Sequence, residues 1–170
     1  NSIEDGVMLI DGQGVIQLCN PGAATITALP ANEATGIQVQ RVMTLRNEHG
    51  APYSDADSPF TKVFQTGATV RDNKATLKTR DKKDVAISLT ITPLMDPKTQ
   101  QVGAAIAVFR DVSAQRAEEQ QRADFVSTAS HEMRTPVAAI EGYLALALND
   151  KVSTIDNNAR GYLEKAHAAT

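Results

Sequence analysis

Two hydrophobic periods divide the chain. Residues 1–112 alternate in short apolar segments broken by turn residues, whereas residues 113–170 follow a helical repeat. "GVMLIDGQGVIQLCN" (6–20) predicts two strands joined through Asp11-Gly12-Gln13-Gly14, a hairpin signal. Asn20-Pro21 predicts a helix start, with Asn20 as N-cap and Pro21 at the first helical position. That helix passes Ile26 and Leu29 and stops before Pro30. "SPFTKVFQTG" (58–67) predicts a second helix, with Phe60, Val63 and Phe64 on one face and Gly67 ending it. Three more strands follow: "ATLKTR" (75–80), "DVAISLTITPLM" (84–95) and "VGAAIAVFRDV" (102–112), with turns at Asp81-Lys82-Lys83 and Asp96-Pro97-Lys98. The expected fold is α+β, an antiparallel five-stranded sheet with flanking helices.

From Ser113 the turn residues vanish, and no glycine appears until Gly142. Val126, Met133, Val137, Ile140, Leu144 and Leu148 recur at gaps of seven, four, three, four and four, the stripe of a helix that packs on other helices. Asn149-Asp150 breaks this helix. Ser153, with Asp156 three residues on, is expected to cap a second one carrying Ile155, Ala159, Tyr162, Leu163 and Ala166. The second helix reads as cut short at Thr170. A helical hairpin of this size does not cover its own stripe, and two copies do, so the expectation is a homodimer built on a four-helix bundle. Between Asp111 and Asp124 the seam is polar, with Gln115, Glu119 and Arg122 where apolar knobs normally sit. A seam this weak allows two registers of similar energy.

Composition narrows the class. The chain is 42% hydrophobic but only 4% aromatic, without Trp, so its core is aliphatic. A net charge of −3 gives no reason to expect nucleic acid or an anionic membrane as partner. Cys19 stands alone and forms no internal disulfide, which suits a reducing compartment. The longest apolar run, Val102 to Phe109, is too short to span a bilayer. The expectation is a cytoplasmic piece, with any membrane anchor in segments outside this chain.

The chemistry concentrates in "SHEMRTP" (130–136), inside the long helical stretch. A zinc-protease helix needs His-Glu-x-x-His, and the residue four positions after His131 is Thr135, so no metal is expected. His131 lies two residues before Met133, about 200° away around a helix, and so projects off the apolar stripe. Thr135 shares its face, and Glu132 is adjacent. A carboxylate on Nδ1–H fixes the tautomer, leaves the Nε2 lone pair to attack, and stabilises positive charge developing on the ring. Arg134 is a candidate phosphate contact, set against the reading of a solvated helix face. Pro136 is expected to kink the helix.

"F-x-x-x-x-S-H-E-M-R-T-P-V" (125–137) resembles the phosphoacceptor box of sensor histidine kinases, with Met133 and Val137 as apolar-for-apolar departures. The resemblance implies that His131 is the phosphoacceptor, Glu132 the acid/base partner, and Thr135 the residue that positions water when a response regulator is dephosphorylated. The first region is similar to a PAS domain through "GVMLIDGQGVIQLCNPGAATITAL", "SPFTKVFQTGATV" and the exit "FRDVS" (109–113). Together these imply a PAS sensor domain at 1–112, a signalling-helix linker at 113–126 and a dimerisation/phosphoacceptor domain at 127–170. They also imply an ATP- and Mg-binding catalytic domain outside these residues, whose phosphate-binding boxes are not found here, so this stretch is expected to be inactive alone. The implied partners are a second copy, that catalytic domain and the receiver domain of a response regulator. "LCNPG" is not the Asn-Cys-Arg motif of flavin photosensors, and His49 in "RNEHGAP" reads as a turn residue, not a haem ligand. The ligand of the PAS region stays unknown. A second reading, a PAS-driven dimeric scaffold whose His131 is never phosphorylated, stays open.

Overall fold

The computed structural model describes residues 4–97, 99, 101–149 and 154–169. They form two compact units, residues 1–117 and 118–170.

The first unit opens with β1 (Gly6–Asp11) and β2 (Ile16–Cys19), paired antiparallel around the expected hairpin. Asp11 holds that turn: its carboxylate accepts from the Gln13 and Val15 N–H groups, both at 2.9 Å. These bonds, that from Val15 foremost, keep its carboxyl below the usual range. Helix α1 (Pro21–Thr27) starts as predicted, with the Asn20 side chain accepting from the Ala23 N–H at 2.8 Å. Two single-turn helices follow, α2 (Ala31–Ala34) and α3 (Val39–Val42), then β3 (Thr44–Arg46). Helix α4 (Pro59–Thr66) buries Phe60 and Val63 and ends at Gly67, whose φ of 63° is the left-handed conformation that glycine adopts without strain. The unit continues through β4 (Val70–Asp72), β5 (Thr76–Lys78), β6 (Asp84–Met95) and β7 (Val102–Asp111).

All five expected strands are present, and β3 and β4 extend them to a seven-stranded antiparallel sheet. Its order is β2-β1-β7-β6-β5-β3, with β4 pairing β6. Both additional strands have three residues and no alternation of their own; pairing with β5 and β6 makes them strands. The Asp81-Lys82-Lys83 turn forms, with Lys82 at φ 64° and the Thr79 N–H on the Lys83 carbonyl at 2.9 Å. Lys98 of the next predicted turn lies outside the described residues, but the turn's other side closes through Asp96 N–H to the Gln101 carbonyl at 2.8 Å.

Strand alternation sorts the side chains. Met8, Ile10, Ile87, Leu89, Ile91, Ala105, Ala107 and Phe109 are buried and meet α1 and α4 residues in one aliphatic core. Each fully buried Leu, Ile or Phe contributes about 1.5–3 kcal/mol. At Gly6 the backbone runs so close to Phe109 that an added Cβ would lie 2.5 Å from its ring. Any side chain at this position would force the buried Phe109 ring to move.

The second unit contains most of α5 (Ser113–Leu148) and α6 (Asn157–His167). Helix α5 begins where the sequence places it, and the chain is no longer helical at Asn149; Asp150 lies outside the described residues. The cap of α6 is Asp156, which accepts from the Ala159 N–H at 2.8 Å. Ser153, expected in that role, also lies outside the described residues. A carboxylate at this position also meets the positive end of the helix dipole, which favours it as cap.

Candidate functional site

Helix α5 carries every residue singled out in "SHEMRTP". The 23 residues from Ser113 to Thr135 contain neither Gly nor Pro, and Ala, Glu, Gln and Arg dominate, all strong helix formers. The start is anchored in the first unit. The Asp111 carboxylate accepts from the Ser113 N–H at 2.8 Å, the Ser113 hydroxyl accepts from the Ala86 N–H at 3.0 Å, and Val112 N–H donates to the Ala86 carbonyl at 2.9 Å. Arg116, one turn on, donates to the carbonyls of Asn73 and Ile87. Nothing in the sequence marked Arg116, because its acceptors are backbone atoms distant in sequence, one in the bend after β4 and one in β6.

His131, Glu132, Arg134 and Thr135 are all exposed on α5. Among the described residues none of the four side chains has a hydrogen bond or ion pair, and the Glu132 carboxylate does not touch the imidazole. Both nitrogens of His131 are thus open to an incoming group. Thr135 lies one turn away, a spacing that puts its Cβ about 5–6 Å from that of His131. The helix runs unbroken through Pro136. Proline has no N–H to give the Glu132 carbonyl, so the helical ladder lacks one bond beside His131.

The apolar stripe has no buried member. Val126, Met133 and Ile140 are 62%, 65% and 49% exposed, and Tyr143 and Tyr162 stand further out still. Val137, Leu144 and Leu148 on α5 and Ile155, Ala159 and Leu163 around α6 are half-buried. No helix of the described residues is long and apolar enough to cross a membrane.

Comparison with known proteins assigns both units. Residues 1–117 match the family model of the PAS fold, and residues 121–170 match that of the His Kinase A (phospho-acceptor) domain. The alginate biosynthesis sensor protein KinB of Pseudomonas aeruginosa is 30% identical over 143 residues, 83% of this chain and 22% of that protein. The sensor protein kinase WalK of Staphylococcus haemolyticus is 24% identical over 168 residues, 99% of this chain and 25% of that protein. The chain thus spans about a quarter of the length of these relatives. Among solved structures, a PAS domain from Colwellia psychrerythraea superposes with a TM-score of 0.52 at 18% identity, covering 66% of this chain and 89% of that one. The chain belongs to the PAS-fold family and joins that module to the phosphoacceptor domain of two-component sensor histidine kinases.

Proposed function

We propose that His131 is the residue phosphorylated in this segment. Its Nε2 lone pair attacks the γ-phosphorus of ATP held by a catalytic domain elsewhere in the longer protein; the N–P bond forms as the bond to the ADP oxygen breaks. Glu132 rotates onto Nδ1–H, orients the ring and takes that proton as the imidazolium forms, leaving a neutral phosphoimidazole. The phosphoryl group then passes to an aspartate of a response regulator. Arg134 contacts the phosphate, and Thr135 positions water in the reverse, dephosphorylating reaction. Residues 113–126 act as linker between sensor and acceptor. Two copies pair through the uncovered stripe of α5 and α6, in the cytoplasm.

One observation carries this reading: of the two histidines inside the matched phosphoacceptor segment, only His131 sits in "SHEMRTP", mid-helix and exposed, whereas His167 closes the last turn of α6. The test is phosphorylation of the full chain by a separately supplied kinase ATP-binding domain and radiolabelled ATP. Acid-labile, base-stable label is expected on the native chain and on His167→Gln, and none on His131→Gln. Label that persists in His131→Gln overturns the assignment.

A further inference from the structure

A cavity of 610 Å³ opens in the first unit where α1, α3 and the end of β5 meet. No residue of β1, β6 or β7 lines it, so it is separate from the packed space against the inner sheet face. Its lining combines apolar Leu29, Ile37 and Val42 with three cations, Arg41, Lys78 and Arg80, and contains neither Asp nor Glu. The volume lies within the range of small-molecule sites, about 300–1,000 Å³.

The cations differ in what surrounds them. Arg80 is paired with Glu33 at 2.5 Å. Among the described residues, the side chains of Arg41 and Lys78 have no ion pair or hydrogen bond. Arg41 and Lys78 thus bring two positive charges with no partner to one concave, partly apolar surface, a setting that favours an anion. The walls are already tied together. Arg80 N–H donates to the Thr27 carbonyl at 3.2 Å, Ile16 N–H to the Ile37 carbonyl at 3.0 Å, and Val39 N–H to the Gly14 carbonyl at 2.9 Å. Little ordering therefore accompanies binding. No aromatic side chain lines the space to stack on a base, and no glycine-rich loop precedes a helix there, which argues against a nucleotide.

We infer that this cavity binds a small organic anion with an aliphatic body, its carboxylate held between Arg41 and Lys78 and its chain against Leu29, Ile37 and Val42. The assignment concerns binding alone and is independent of phosphotransfer at His131.

Octanoate, decanoate and acetate, with neutral 1-octanol, are titrated into the full chain by calorimetry, and the site is mapped by amide chemical shifts. At least one of the two long carboxylates is expected to bind tenfold or more tightly than acetate and 1-octanol, shifting amides of residues 36–44 and 78–80. Arg41→Gln with Lys78→Gln is expected to weaken it at least tenfold, and Arg41→Lys with Lys78→Arg to restore it. Unchanged circular dichroism and thermal melting of both double variants shows that they fold. Equal affinity for 1-octanol, undiminished binding by the glutamine variant, shifts mapping elsewhere, or no binding of either long carboxylate at millimolar concentration overturns the inference.

Discussion

Arg116 reaches back from the first turn of α5 to the backbone carbonyl of Ile87, 3.3 Å away, and also donates to that of Asn73. Ile87 is fully buried on β6, so this guanidinium fastens the helix root to a strand of the core. Arg116→Ala is expected to destabilise the first unit by about 1–2 kcal/mol, the worth of hydrogen bonds from a partly buried charged donor. Hydrogen exchange at residues 113–118 is expected to quicken more than exchange at β1. Equal protection in both proteins would show that Arg116 fastens nothing.

Asn20 does more than cap α1. Its Oδ1 accepts from the N–H groups of Ala23 and Val7, both at 2.8 Å, and its Nδ2 donates to the Asp5 carbonyl at 3.0 Å. Removing all three in Asn20→Ala is expected to cost about 2–3 kcal/mol, at roughly 1 kcal/mol per bond. Asn20→Asp keeps both acceptor bonds and is expected to fall between. Urea titrations of the two variants give the ordering.

The Tyr53 hydroxyl donates to an Asp72 carboxylate oxygen at 2.5 Å. Burial, reinforced by that bond, pushes its pKa up to about 12 from 10.0. In the unfolded chain the phenol ionises near its ordinary value, so above pH ~10 the unfolded state binds fewer protons than the folded one and stability falls with pH. The contribution is whole below pH ~10 and is lost as pH rises toward 12. Tyr53→Phe is expected to be less stable than the native chain at neutral pH, with the gap closing across that window. A gap that stays constant with pH would count against the coupling.

Pro136 interrupts the hydrogen-bond ladder of α5 without interrupting the helix. Pro136→Ala restores a donor for the Glu132 carbonyl and removes the ring clash, and is expected to stabilise the helix by up to about 3 kcal/mol. Helix-sensitive circular dichroism during thermal unfolding reads this as a later, steeper loss of signal. No gain would mean that the surrounding structure has already absorbed the defect.

What the sequence makes legible follows from how local each signal is. β1, β6 and β7 carry their own alternation, α1 its Asn-Pro start, and α4 its terminal glycine; each is written within a dozen residues. β3 and β4 are strands only because β5 and β6 lie beside them, so no local pattern marks them. Asp156, the second polar residue of the cap signal at the start of α6, caps that helix because its carboxylate reaches the Ala159 N–H. The phosphoacceptor motif is contiguous and could be read whole. The cavity draws on residues 27–29, 36–44 and 78–80, which only the fold brings together.

Strand β1 pairs with β7 so that Gly6 lies opposite Phe109, and next to them Arg110 grips Asp5 with two bonds, at 2.6 and 2.8 Å. The polypeptide thus enters and leaves the PAS fold side by side, on two neighbouring strands inside the sheet. A domain with neighbouring ends can be spliced into a longer protein as a cassette, since the flanking chain need only part and rejoin. Neighbouring ends also make such a domain a natural subject for circular permutation, in which a short linker joins the old ends and an exposed loop supplies the new termini.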